Sequence, residues 1–288
     1  LAFDGWRRLA YGKGPYGHDP LGCIKDLQKI YKDELSLLSQ DFLNRRKVLV
    51  LSGSLPTDIE ENLSTMESFD YSNHDLFVPS LFNINNSITN QSNKDSNFTL
   101  QPIETSQIVI MIGQPTVSHG HEDDLFLHLL SCHLGSGMSS RLFIELREKH
   151  GVAYEVGVHH PTKEHSSPFI IHASTSKDKS SQTLELLTTC WRDIINSQLS
   201  KESLSLAKAK YQGQIAHASQ TIGQRAERKA HLLGLGLHIN HDQKNLKRLE
   251  SITSKDLQIA AQKHLQNPLL SLCGPKKIIK ELSEGWRI

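Results

Sequence analysis

The 288-residue chain has little of several things, and each scarcity removes a class of protein. It has no charge of one sign to spare: 32 Lys and Arg face 31 Asp and Glu, a net charge of +1. No global field therefore draws it to nucleic acid or anionic lipid, and any partner must be recognised locally. It has no apolar run near the ~18 residues that a membrane span requires. Its four cysteines, Cys23, Cys132, Cys190 and Cys273, are far apart and form no C-x-x-C pair, which excludes a cysteine zinc knuckle and a dense disulfide framework. They read as reduced, mostly buried thiols, favouring the cytoplasm or an organellar lumen. No G-x-S-x-G occurs, and Gly135-Ser-Gly-Met-Ser-Ser-Arg141 lacks both the third glycine of a dinucleotide loop and the Gly-Lys-Ser/Thr of a P-loop. The start is Leu1, followed by neither a charged nor an apolar leader region, so the chain reads as a piece whose own beginning lies upstream.

Between Asn83 and Phe98, six of sixteen residues are Asn and three are Ser, too polar to order by burial. Residues 66–100 are accordingly expected to be a linker. The sequons Asn85-Asn86-Ser87 and Asn97-Phe98-Thr99 fall within it, and with no secretory leader they are not expected to be glycosylated. Upstream, residues 1–65 read as loop, helix (Tyr31 to Leu43), buried strand (Val48 to Leu51) and helix. One strand is too little to stand alone, so this segment is expected to complete a domain whose first part is missing.

Downstream, the run Ile108–Ile112 predicts a strand, and His121–His133 a helix with Glu122, Asp123 and Asp124 in its first turn. Ser139 and Ser140 could cap a second helix running to Gly151. Val152, Tyr154, Val156 and Val158 then alternate as in a strand, and Pro168–Thr175 supplies another across a hairpin loop. Helices are expected over Ser180 onward, Lys201–Gly213, Gln224–Leu235 and Thr253–Leu265, and a closing strand over Leu269–Cys273. Strands followed by massed helices and a last strand make an α+β layer architecture.

Sixteen histidines invite a metal reading. The clusters are His119 and His121 with Glu122, His159 and His160 with His165, and His238 with His241. None forms H-E-x-x-H or H-x-x-E-H, in which two imidazoles stand one helical turn apart. They are expected to be solvated or core histidines, with no metal-ligating set in this chain. The pair that stands out is Arg147, in the last turn of the helix after Ser140, and Tyr154, on the strand after Gly151. One helix–turn–strand reversal could bring a guanidinium and a phenol to one side of a cleft, where both could donate to a peptide carbonyl or an oxyanion. From spacing alone, a helix-end Arg and a half-packed strand Tyr account for the pair more simply.

The segment Leu134-Gly-Ser-Gly-Met-Ser-Ser-Arg-Leu-Phe-Ile-Glu-Leu-Arg-Glu-Lys-His-Gly-Val-Ala-Tyr154 resembles the C-terminal-half signature of the M16 family of pitrilysin, insulinase and mitochondrial processing peptidase. A weaker likeness runs from Ile103 to Pro275, and Tyr11–Gly22 with Val48–Gly53 resembles the end of the family's N-terminal half. The resemblance implies an M16-type sandwich, a mostly antiparallel sheet covered by helices. Residues 1–65 would end a first half, 66–100 would be a linker, and 101–288 a complete second half. It implies two halves closing like a clam around an unfolded peptide. Zinc would sit on H-x-x-E-H of the first half, upstream of Leu1 or on a homologous partner. Arg147 and Tyr154 would hold the substrate carbonyl and stabilise the tetrahedral intermediate formed by zinc-bound water. The expected function is thus the substrate-binding half of a zinc metalloendopeptidase, inactive without its zinc-bearing half. The alternative is a non-catalytic subunit that assembles with, or presents substrate to, such a partner.

Overall fold

The computed structural model describes residues 1–12, 14, 16–44, 47–65 and 96–286. In chain order the helices before the sheet are α1 (Ala2–Tyr11), α2 (Ile24–Leu27), α3 (Lys32–Asn44) and α4 (Ile59–Ser64). Then come β1 (Phe98–Pro102), β2 (Gln107–Pro115), α5 (Asp124–Gly135), a π-helix (Phe143–Lys149), β3 (Glu155–His159) and β4 (Pro168–Ser176). The remainder is α6 (Ser180–Asn196), α7 (Lys201–His217), α8 (Ile222–Gly234), α9 (His241–Arg248), α10 (Ser254–His264), β5 (Leu269–Gly274) and α11 (Lys276–Glu284). The chain divides into two compact units. One holds the described residues of 1–18, 86–213 and 245–288; the other holds those of 19–85 and 214–244.

The first unit is built on a five-stranded sheet in the order β1-β5-β2-β4-β3. Only β1 and β5 run parallel; every other neighbouring pair is antiparallel. The architecture is therefore α+β, as the sequence pattern predicts, with the mostly antiparallel sheet that the resemblance implies. Register follows from alternation: Ile108, Ile110 and Ile112 face the same way as Phe169, Ile171, Ala173, Leu270 and Leu272, and all are fully buried. Onto this face pack α5 and α6, with α10 against both helices; Phe169 and Trp191 ring centroids lie 5.9 Å apart, and the Trp191 indole donates to Leu265 O at 3.0 Å. The periodic apolar face of α6 seen in the sequence, Leu184, Leu187, Trp191, Ile194 and Ile195, is the buried one. The Thr253 capping box with Asp256 is formed as expected. Helix α5 presses so closely on β3 that a Cβ at Gly135 would lie 2.7 Å from Val158 N.

The opposite face is covered by α1, where the sequence reading placed a loop. Ala2, Trp6 and Ala10 recur every four residues and are buried, and the Trp6 indole donates to Gly113 O at 3.3 Å. Trp6, Ala10 and Ile170 form the core of this layer, with Phe3, Tyr11, Met111 and Leu269 around them. What holds these ten residues helical, Arg7 and Arg8 among them, is the apolar sheet face beneath.

Two further expectations differ from the structure. Val48–Leu51 is not a strand among the described residues: Val48, Leu49 and Leu51 are 36%, 44% and 42% exposed. A β-branched run becomes a strand only where a neighbouring backbone takes its hydrogen bonds, and none is paired with it there. The expected linker lies mainly outside the described residues, over 66–95, but its last residues are part of β1, Phe98 to Leu100 pairing with Leu270 to Leu272. The second unit contains α2, α3, α4 and α8, and α8 begins at a complete capping box between Thr221 and Gln224. Its α3 leaves Leu35, Leu38 and Phe42 exposed.

Candidate functional site

The residues from Arg147 to Tyr154 leave the π-helix, turn, and enter β3. The expected α-helix over this stretch is wound as a π-helix preceded by Leu142, with no side-chain cap from Ser139 or Ser140 recorded at its start. Single π turns are rare and recur at functional sites. Its inner side is anchored by fully buried Leu146, whose carbonyl accepts from Val152 N at 2.8 Å and Ala153 N at 3.4 Å. Gly151 makes the reversal at φ +57°, a conformation costly for residues with a Cβ. Lys179 Nζ donates to Gly151 O at 2.8 Å. Thr175 Oγ1 donates to Val152 O at 2.5 Å, and Tyr154 N to Ser174 O at 2.8 Å. The backbone of the turn is thus tied to β4 and α6.

Its two long side chains are not tied down. Arg147 is exposed, its guanidinium carbon 4.8 Å from the centroid of the Phe143 ring one helical turn back. Tyr154 is 62% exposed. Both are therefore available to a ligand from solvent, and neither lines the two cavities flanking this region. One, about 610 Å³, lies between α6 and α11; the other, about 260 Å³, lies between the π-helix and α7. In the smaller, Glu145 accepts from Lys149 at 2.9 Å and lies 3.4 Å from Arg141, which also reaches Asp193 at 3.1 Å. The Lys149 hydrogen bond, with Arg141 beside it, holds the Glu145 carboxyl below its usual range against burial. Burial, aided by Arg141 and Lys210, depresses His133 to about 4, leaving it neutral at pH 7.

A second polar site joins His119 and His160, which the sequence reading places in separate clusters, with Asp124 and His128, which it places in none. Asp124 and His128 stand one turn apart on α5, His119 precedes the helix, and His160 follows β3. One ligand atom from each of His119, Asp124 and His128 lies within 4.8 Å of the others. His119 Nδ1 is 2.7 Å from Asp124 Oδ2, and Gly120 N donates to the same oxygen at 3.4 Å. His128 Nε2 and His160 Nε2 lie 3.6 and 4.0 Å from Asp124 Oδ1. Burial pushes Asp124 upward, but the His119 bond and the imidazole of His128 outweigh it, so the carboxyl stays below its usual range. Burial pushes the His160 imidazole down, towards the neutral form. A carboxylate and an imidazole at i and i+4 was the legible signal; His119 and His160 were grouped with their sequence neighbours, which the fold turns elsewhere. His238 and His241 do not share a helix: His241 opens α9 and His238 precedes it in the turn, its ring accepting from Asn240 N.

Among the described residues no helix is long and apolar enough to cross a membrane. A family model described as "Peptidase M16 inactive domain" matches residues 48–211. A Rickettsia felis protein named "Uncharacterized zinc protease" is 27% identical over 237 residues, covering 79% of this chain and 53% of its own length. Helicobacter pylori has a "Non-peptidase homolog YmxG", 22% identical over 258 residues, covering 89% of this chain and 58% of that one. The chain thus spans about half the length of these relatives. The crystal structure of a peptidase M16 inactive domain from Pseudomonas fluorescens superimposes with a TM-score of 0.74 at 18% identity, covering 96% of this chain and 65% of that one. More than half of the sequence falls within the matched domain, and on that ground this chain is a member of the M16 peptidase family, carrying its C-terminal, inactive-type domain.

Proposed function

We propose that the chain is the substrate-binding half of a zinc metalloendopeptidase, in which Arg147 and Tyr154 grip the carbonyl of an extended peptide. The observation that carries the reading is the turn between them: a backbone fixed by Leu146, Thr175 and Lys179 presents two exposed, unburied donors. A guanidinium and a phenol carried on one fixed turn of backbone can both donate to a carbonyl oxygen, and more strongly to the oxyanion it becomes. The 288 residues contain no H-x-x-E-H, so the family's zinc motif has no counterpart here, and no reaction step is assigned to zinc in this chain. In this reading zinc belongs to a preceding half or a homologous partner. On the same reading residues 1–65 end such a half, with α1 packed on the sheet of the first unit, and the exposed Leu35, Leu38 and Phe42 of α3 are apolar surface suited to cover by the rest of that half.

The test is Arg147→Ala in the enzyme assembled with its zinc-bearing half. Peptide turnover should fall about 100-fold, the loss typical of one oxyanion donor. Turnover within about twofold of wild type rejects the role. Tyr154→Phe removes only the hydroxyl and should act in the same direction.

A second reading, a non-catalytic subunit, is favoured by the name of the Helicobacter relative and by the description of the matched domain. Under it, partner binding survives both substitutions and no peptide turnover depends on either residue.

A further inference from the structure

We propose that Asp124, His128 and His160, closed by His119, form a binding site for a divalent transition-metal ion of the zinc class. Two buried atoms at its centre lie close together. His160 Nδ1 lies 3.0 Å from Pro168 O. A carbonyl can only accept, so Nδ1 carries the hydrogen and Nε2 presents a lone pair. Nε2 lies 4.0 Å from Asp124 Oδ1. Both atoms are buried and neither has a hydrogen-bond partner. The side chains of His160 and Asp124 are only 1% and 3% exposed. Two buried acceptors this close lose hydration and repel, which native structures tolerate only when a donor or a positive charge stands between them. A proton does not suffice, since 4.0 Å exceeds hydrogen-bond reach.

A metal ion satisfies both. Bonds of about 2.0–2.1 Å in tetrahedral array place ligand atoms about 3.3–3.4 Å apart. The separations of His128 Nε2 and His160 Nε2 from Oδ1, 3.6 and 4.0 Å, need only small side-chain adjustments to meet that spacing. The other carboxylate oxygen is held by His119 at 2.7 Å, which fixes the orientation of Asp124 as outer partners of metal ligands commonly do. Imidazoles with one carboxylate suit zinc, cobalt or nickel rather than the all-oxygen preference of calcium or magnesium. His128, 17% exposed, is the side from which an ion enters. The ion would tie the loop before α5 and the end of β3 to α5 itself, a structural role. This replaces the core-histidine reading of these residues and is independent of the proposed peptide site, since its readout is metal binding and not turnover.

The experiment is titration of the chelator-treated 288-residue chain with Co²⁺ and then Zn²⁺. Expected are about one equivalent of Co²⁺ bound with a visible d–d band, displacement of that band by Zn²⁺, and a higher Tm with the ion. His128→Ala and His160→Ala should weaken binding by about 100-fold or more, with circular dichroism reporting their folding, whereas His238→Ala, at an exposed histidine, should leave it unchanged. If the alanine variants misfold, Asp124→Asn, close to isosteric, carries the same expectation. Three outcomes overturn the proposal: no saturable binding by the wild-type chain, in which case a water bridges the two acceptors; binding unaffected by any of the three ligand variants; or binding lost with His238.

Discussion

The cluster around Asp124 and the turn from Arg147 to Tyr154 belong to the same compact unit and use their polar groups in opposite ways. In the cluster the side chains are buried and oriented by neighbours, down to the ring nitrogen that His160 presents. In the turn the backbone is held and the side chains are left in solvent. A buried polar group must find its partner inside the fold or in an ion that the fold binds, so its removal is felt as stability. An exposed group on a rigid backbone contributes almost nothing to stability and is available to a molecule from outside.

The comparison can be broken at several points. The largest effect is expected from Asp124→Ala, which removes the carboxylate that receives His119 Nδ1 and leaves buried polar groups uncompensated; urea denaturation should show a loss of about 3–5 kcal/mol. Arg147→Ala should change the same measurement by less than about 0.5 kcal/mol, while the roughly 100-fold loss of turnover proposed above amounts to about 2.7 kcal/mol of transition-state stabilisation. Equal stability losses at the two positions would erase the distinction. Gly151→Ala sharpens it from the other side: at φ +57° the added Cβ should cost about 1–2 kcal/mol, and in the assembled enzyme it should lower turnover by moving the turn without touching either donor.

The smallest effect concerns pH. The Glu145 carboxyl has a folded pKa below its ordinary 4.5, so the stability it contributes is present above that value and is lost as the pH falls through the folded pKa. Glu145→Gln should therefore be less stable than wild type at pH 7, by a few tenths of a kcal/mol given the exposed Lys149 partner, and the difference should vanish once the pH falls below the folded pKa. A difference that persisted in acid would assign the effect to packing.

Much of the architecture was legible because period and punctuation are local. Ile108–Ile112, the face of α6, the Thr253 cap and the closing strand each carry their own signal, and each lies where the pattern put it. Helix α1 was missed because its partner, the face around Ile170 and Met111, lies more than a hundred residues away. Val48–Leu51 differs for the complementary reason: strand-forming residues are present, but among the described residues no neighbouring backbone pairs with them. Arg147 and Tyr154 could be singled out in advance, since a short turn fixes their relation along the chain. The cluster of His119, Asp124, His128 and His160 could not, since His160 returns to α5 only through the packing of β3 against it.

By itself, then, the sequence determined periodicities, caps and one compact motif, all of which depend on residues within a turn or two of one another. Only the tertiary structure decided which histidines face which carboxylate, because ring tautomer and lone-pair direction are set by distant carbonyls such as Pro168 O and by burial, neither of which is written in residue spacing.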